Sequence, residues 1–144
     1  MTLLKSYYHL CKPNVVYMML ICAFVGMLLA EQTVSSYSYL FIALTGIALC
    51  AASAAAINQV VDREADASMT RTDQRPLPKG NLSVQHASIF AFVIGLIGAL
   101  ILYFYVNILT MILTIGSLIG YAFIYTVYLK RATPQNIVIG GLAG

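Results

Sequence analysis

The chain has 144 residues, 60% of them hydrophobic and 9% charged, against roughly 45–50% and 25% in soluble domains. With a mean hydropathy of +0.85, it has too few polar groups to clothe a water-facing surface, so the apolar excess is expected to face lipid. A net charge of +3 provides no basic stripe and excludes a nucleic-acid module.

Residues 1–12 hold Lys5 and Lys12 and no arginine. They form neither a secretory signal with a small-residue cleavage site nor an Arg- and Ser-rich mitochondrial presequence, so a bacterial cytoplasmic membrane is the expected location. Residues 13–30 carry no charge, and Pro13 suits a first helical position. A span needs about 20 residues to cross about 30 Å of hydrocarbon, so this stretch is one helix. Residues 32–61 are also uncharged and hold a second, over about 39–57. The third uncharged stretch, 80–129, is long enough for two helices, 84–105 and 108–129, with a tight turn near Val106-Asn107. Ser83 is a plausible cap for the third helix, and Tyr103-Phe104-Tyr105 sits where an aromatic belt would. Thr133-Pro134 reads as an N-cap and first turn of a fifth helix, and the apolar run 137–144 stops short of a crossing. The expected architecture is therefore an all-α polytopic transmembrane bundle, the first part of a larger membrane domain.

Lys5, Lys12, Arg63, Arg71, Arg75, Lys79, Lys130 and Arg131 all fall at one side of these spans, and the two remaining connections carry no cation. The positive-inside rule makes that side cytoplasmic, placing the N-terminus and the 58–83 connection there. Cys11, Cys22 and Cys50 have neither zinc-site spacing nor an even count, and read as small buried hydrophobes. Residues 51–56 and Gly116-x3-Gly120 are small-residue surfaces for close helix packing.

Chemistry concentrates after the second helix. Asn58, Asp62 and Asp66 are four apart. If the helix continues through them, they advance about 40° per step and form a ladder of oxygen ligands about 6 Å apart on one face. Arg63 and Glu64 point elsewhere. Carboxylates and an amide oxygen are hard ligands suited to Mg²⁺, which shares its shell with waters and substrate phosphates. Alone, this spacing also describes a solvated loop whose acids balance its arginines. Two features favour a site: Asn58 ends a thirty-residue uncharged stretch bordering the bilayer, and Arg71 and Arg75 follow, four apart. Guanidinium forks pair with phosphate oxygens bidentately, so acids for a metal stand beside arginines for an anion. Lys12 either reaches that anion or anchors the first helix.

At these residues the chain resembles the UbiA superfamily of intramembrane prenyltransferases, whose first aspartate-rich motif is N-x3-D-x3-D after the second helix. Within it the chain is similar to the haem O synthase branch. Lys12-Pro13-Asn14 opens the first helix as that branch's Lys-Pro does, and residues 62–77 follow its D-R-x-x-D-x-x-M-x-R-T-x-x-R-P-L pattern. Residues 125–144, YTVYLKRATPQNIVIGGLAG, follow its signature after the fourth helix.

The resemblance implies a nine-helix bundle around a cavity open to the cytoplasm, of which these residues supply four helices and the start of a fifth. The implied reaction transfers a farnesyl group from farnesyl diphosphate to a vinyl group of haem B, giving haem O. It further implies that Asn58, Asp62 and Asp66 hold magnesium on the diphosphate while Arg71, Arg75 and Lys12 bind its oxygens. The second polar cluster of the family, from later helices, has no counterpart here. Haem-handling or terminal-oxidase assembly proteins are further candidate partners.

Other readings stay open at this level. An aromatic acceptor such as 4-hydroxybenzoate would use the same ladder. A transporter would place its acids nearer the midplane, with Gly/Pro breaks in its spans, whereas Pro13, Pro76, Pro78 and Pro134 lie at ends or in loops. Tyr121, Tyr125 and Tyr128 share a helix face and are either interfacial anchors, the simpler reading, or quadrupoles for a substrate cation. His9 and His86 lie near helix starts, where an interfacial role is simpler than haem-iron ligation.

Overall fold

The computed structural model describes residues 2–30, 36–70 and 72–122. Among these there is no strand, and the chain forms α1 (Leu3–Leu10), α2 (Pro13–Ala30), α3 (Tyr37–Val61), α4 (Arg63–Ala67), α5 (Val84–Tyr105) and α6 (Ile108–Ile119). Three of these are long and apolar enough to cross a membrane: α2, α3 and α5, about 27, 37 and 33 Å at 1.5 Å per residue. The chain is thus a multi-pass membrane protein.

Local chemistry explains the boundaries. The ring of Pro13 fixes φ for the first turn of α2. The Ser36 hydroxyl accepts from the Ser38 N–H, that of Ser83 from the His86 N–H at 3.2 Å, and the Asn107 amide oxygen from the Thr110 N–H at 2.7 Å. These caps satisfy helix-start donors that would otherwise be stranded near hydrocarbon. Only Val106 and Asn107 separate α5 from α6.

α3 is the central helix. It packs most extensively on α5, and the surface between them is built from small residues. A Cβ on Gly98 would lie 2.8 Å from the Gly46 carbonyl oxygen and 2.9 Å from the Cys50 Sγ, so two backbones meet there with no room for a methyl group. The Ser53 hydroxyl donates to the Ala91 carbonyl at 2.7 Å across the same interface. In lipid no hydrophobic drive holds helices together, so close packing and such hydrogen bonds must.

A second cluster lies at the end that bears the 58–83 connection. Leu10, Ala56, Leu77, Leu82, Ala87 and Ala91 are buried together, with Tyr7 packed on Phe90 at 4.7 Å between ring centroids. It ties α1, the end of α3, the connection and the start of α5 into one platform.

Three findings depart from the expectations above. α3 runs to Val61 rather than to about residue 57, because the polar Asn58 and Gln59 are buried and find partners that let the helix continue. α1 is an additional short helix; its eight residues bury only Ser6 and Leu10, too few for a periodic signal. Cys22 is exposed rather than buried, because α2 has no buried residue, whereas Cys50 lies at the α3–α5 interface. The fourth expected span is seen as α6 and a wider turn to Ala122. Residues 123–129, Tyr125, Tyr128, Lys130, Arg131, the fifth helix from Thr133-Pro134 and Arg71 lie outside the described residues.

Candidate functional site

The end of α3 carries the ladder. The Asp62 N–H donates to the Asn58 carbonyl at 3.0 Å, and the Asp66 N–H to the Asp62 carbonyl at 2.8 Å. Helical spacing therefore passes through the α3–α4 junction, although Asp62 itself sits at φ −83, ψ 1 and interrupts regular geometry. The three side chains share a fate that their neighbours do not. Asn58, Asp62 and Asp66 are 4%, 5% and 5% exposed, while Arg63 and Glu64 pair with each other at 3.2 Å in solvent. One face of this segment is buried and polar, the other is wet.

Burying two carboxylates and an amide is costly unless each finds a partner. At one end, the Lys12 Nζ donates to the Asn58 Oδ1 at 2.5 Å, across 46 positions of sequence. At the other, an Arg75 Nη donates to the Asp66 Oδ2 at 2.5 Å. The two cations arrive by different routes. Lys12 lies at the elbow between α1 and α2, with φ +47, a left-handed backbone that disfavours a side chain. Gln59 fixes that elbow: its Nε2 donates to the carbonyls of His9 and Leu10, both at 3.0 Å. Arg75 comes from the connection, folded back by the Thr72 hydroxyl donating to the Asp66 carbonyl at 3.0 Å and pinned by buried Leu77 and Leu82.

The structure thus brings Asn58, Asp62, Asp66, Arg75 and Lys12 to one end of the bundle. Two carboxylates and an amide oxygen at helical spacing form a hard-oxygen donor set of the kind that Mg²⁺ accepts together with phosphate oxygens and water. Among the described residues no group of three or more His, Cys, Asp or Glu side chains is assembled for a metal. The ladder therefore offers a partial shell, which a phosphate-bearing ligand would have to complete. Arg75 engages Oδ2 of Asp66, one of the two oxygens of that carboxylate.

Gln59 and Thr72 escaped the sequence reading. Gln59 had a signal, a second amide at the end of an uncharged stretch; Thr72 had none, since its role depends on how the connection folds. Asp73 presents a buried oxygen, Oδ1, without a hydrogen-bond partner, as does Gln59 at Oε1. Burial pushes the neighbouring Cys11 thiol above its ordinary pKa. His86 is engaged locally with the Ser83 hydroxyl at 2.8 Å, and His9 contributes its backbone carbonyl to Gln59. Tyr121 lies in the turn after α6 and is half-buried. A Cβ on Gly116 or Gly120 would meet nothing within 4 Å among the described residues.

Comparison with known proteins bears on this arrangement. Residues 19–144 match the UbiA prenyltransferase family. The chain is 57% identical over 140 residues to protoheme IX farnesyltransferase 2 of Pseudoalteromonas atlantica, covering 97% of this chain and 46% of that protein. It is 56% identical to protoheme IX farnesyltransferase of Idiomarina loihiensis and 55% to that of Shewanella oneidensis, in each case over 97% of this chain and 47% of the relative. The chain therefore spans about half the length of the curated relatives it matches. No solved structure matches.

Proposed function

The chain belongs to the UbiA prenyltransferase family, and from that premise we propose that the full-length protein transfers a farnesyl group from farnesyl diphosphate to a vinyl group of haem B, giving haem O. The observation that carries this reading is 54–57% identity, along 97% of the chain, to relatives named protoheme IX farnesyltransferase. The buried ladder with its flanking cations supports it chemically.

Asn58, Asp62 and Asp66 would hold Mg²⁺, and Arg75, Arg71 and Lys12 would bind the diphosphate oxygens. Such a metal, when bound, would supply Lewis-acid stabilisation of the departing negative charge. The arginines add fixed donors aimed at the same charge, in a setting where burial makes them count for more than in water. The allylic C–O bond breaks, the electron pair leaves with the diphosphate, and the haem vinyl group attacks the farnesyl cation. Water then captures the resulting carbocation as a hydroxyl, releasing a proton. Helices that border the site in the bilayer keep bulk water from quenching the first cation. The cation-bearing end of the bundle faces the cytoplasm of a bacterial cell by the positive-inside rule, which is where a soluble diphosphate is available.

Haem extracted from cells that express the full-length protein tests the acceptor. Haem O is expected to appear at the expense of haem B. Persistence of haem B with no haem O, together with prenylation of an aromatic acid such as 4-hydroxybenzoate, would transfer the assignment to another acceptor class.

A further inference from the structure

The sides of α1 meet different surroundings. Ser6 and Leu10 are buried and Tyr7 packs on Phe90, which seats that side on the platform. Leu4 and Tyr8, four apart and on the opposite side by helical spacing, are 84% and 55% exposed. Lys5 and His9, also four apart and exposed, form the next stripe round the helix. An apolar stripe beside a polar one that carries a cation is the pattern of a helix lying in a membrane–water boundary.

The level of the apolar stripe is set by α2. A side-chain hydrogen bond joins Tyr8 to Tyr17, and Tyr17 lies four residues past Pro13, about 6 Å along the span. Tyr8 therefore points along the span toward hydrocarbon, and its hydroxyl stops at the level where tyrosines gather in membrane proteins. Leu4, one turn earlier on the same stripe, shares that direction. Where helices meet in this protein the residues are small, as with Gly46, Ser53, Ala91 and Gly98 between α3 and α5. The exposed residues of α1 are Leu3, Leu4, Lys5, Tyr8 and His9, none of them small, so this surface suits lipid rather than a further helix. Residues 1–30 contain no acid, so the charge of Lys5 complements an anionic headgroup.

We propose that α1 is an interfacial helix that docks on the lipid surface, with Leu4 and Tyr8 in the boundary between headgroups and acyl chains and Lys5 on anionic headgroup phosphates. So short a helix is marginal by itself, but its tether to the span α2 keeps it at high effective concentration beside the membrane. Gln59 holds the His9 and Leu10 carbonyls, so a helix seated in this way braces the elbow from which Lys12 reaches Asn58.

The test is tryptophan fluorescence of the full-length protein in nanodiscs that contain brominated lipids, read as the emission of Leu4→Trp above that of the wild type. Bromine near the headgroup end of the acyl chains is expected to remove most of this emission, and bromine at the chain ends little of it. Tyr8→Trp reports from the next turn of the same stripe, with the same result expected even if Leu4→Trp does not insert. Glu64→Trp, at an exposed position in α4, is expected to stay unquenched. Brominated phosphatidylglycerol is expected to quench Leu4→Trp with about fivefold higher apparent affinity than brominated phosphatidylcholine, the factor that one lysine near the surface supplies. Adding Lys5→Gln is expected to remove most of that preference. Absence of quenching at both Leu4 and Tyr8, the result if the rest of the full-length protein or a protein partner covers the stripe, would overturn the proposal. So would quenching at Glu64 as strong as at Leu4, and quenching of α1 without preference for the anionic lipid would overturn the headgroup contact of Lys5.

Discussion

Asp62 and Asp66 are 5% exposed at the end of a membrane-spanning helix, and an unpaired buried ion costs several kcal/mol. For Asp66 the fold meets this cost with Arg75, while Lys12 takes the buried Asn58 amide oxygen and backbone hydrogen bonds continue the helix past its break. Removing the charge while keeping the shape isolates its role. Asp62→Asn in the full-length protein is expected to lower the rate of haem O formation by about a hundredfold or more, some 2.7 kcal/mol of transition-state stabilisation. Membrane insertion and helix content are expected to be unchanged, as circular dichroism and protease protection would check. Near-normal turnover would reject a metal role for Asp62. Most of this site was legible in the sequence, because Asn58, Asp62 and Asp66 repeat at helical spacing and Arg75 stands nearby in the chain. The contact between Lys12 and Asn58 was not, since 46 residues separate them and no local pattern links an elbow to a ladder. Gln59 and Thr72 act on backbone carbonyls, so Gln59 shows only as a second amide at the end of an uncharged stretch and Thr72 does not show at all.

At the scale of elements, the ladder is only as well placed as α3 is held, and α3 is held chiefly by α5. Gly98 faces the Gly46 carbonyl oxygen across that interface at 2.8 Å from where a methyl group would go. The obstruction is backbone, which cannot rotate aside. Gly98→Ala is expected to destabilise the protein by about 1–3 kcal/mol, the usual range for overpacking, seen as a lower midpoint in thermal unfolding in detergent. An unchanged midpoint would mean that α3 and α5 are spaced more widely than described. The ends of α2 and α5 coincide with those read from charge and caps, because charged residues and Ser83 bracket the apolar runs. The extension of α3 to Val61 was hidden by its polar residues, which resemble a loop until their buried partners are known. The α1 helix was hidden by its length.

The whole molecule combines an apolar interior of small-residue packing with one polar end. The connection after α3 folds down onto that end, held by Leu77 and Leu82 in the same cluster as Leu10, Ala56 and Ala87. The core thereby fixes Arg75 over Asp66 and the α1–α2 elbow over Asn58, so stability and site are built from the same contacts. Family membership and the relatives' names give this polar end its proposed chemistry, while the chain spans about half of those relatives. The most direct measurement is a single reaction of the purified full-length protein with farnesyl diphosphate and haem B, counting haem O and released diphosphate together with and without Mg²⁺. Equal amounts of the two products, formed only when the divalent ion is present, are expected. Haem O formed at full rate in a chelated reaction, or diphosphate released with no haem O, would contradict the account.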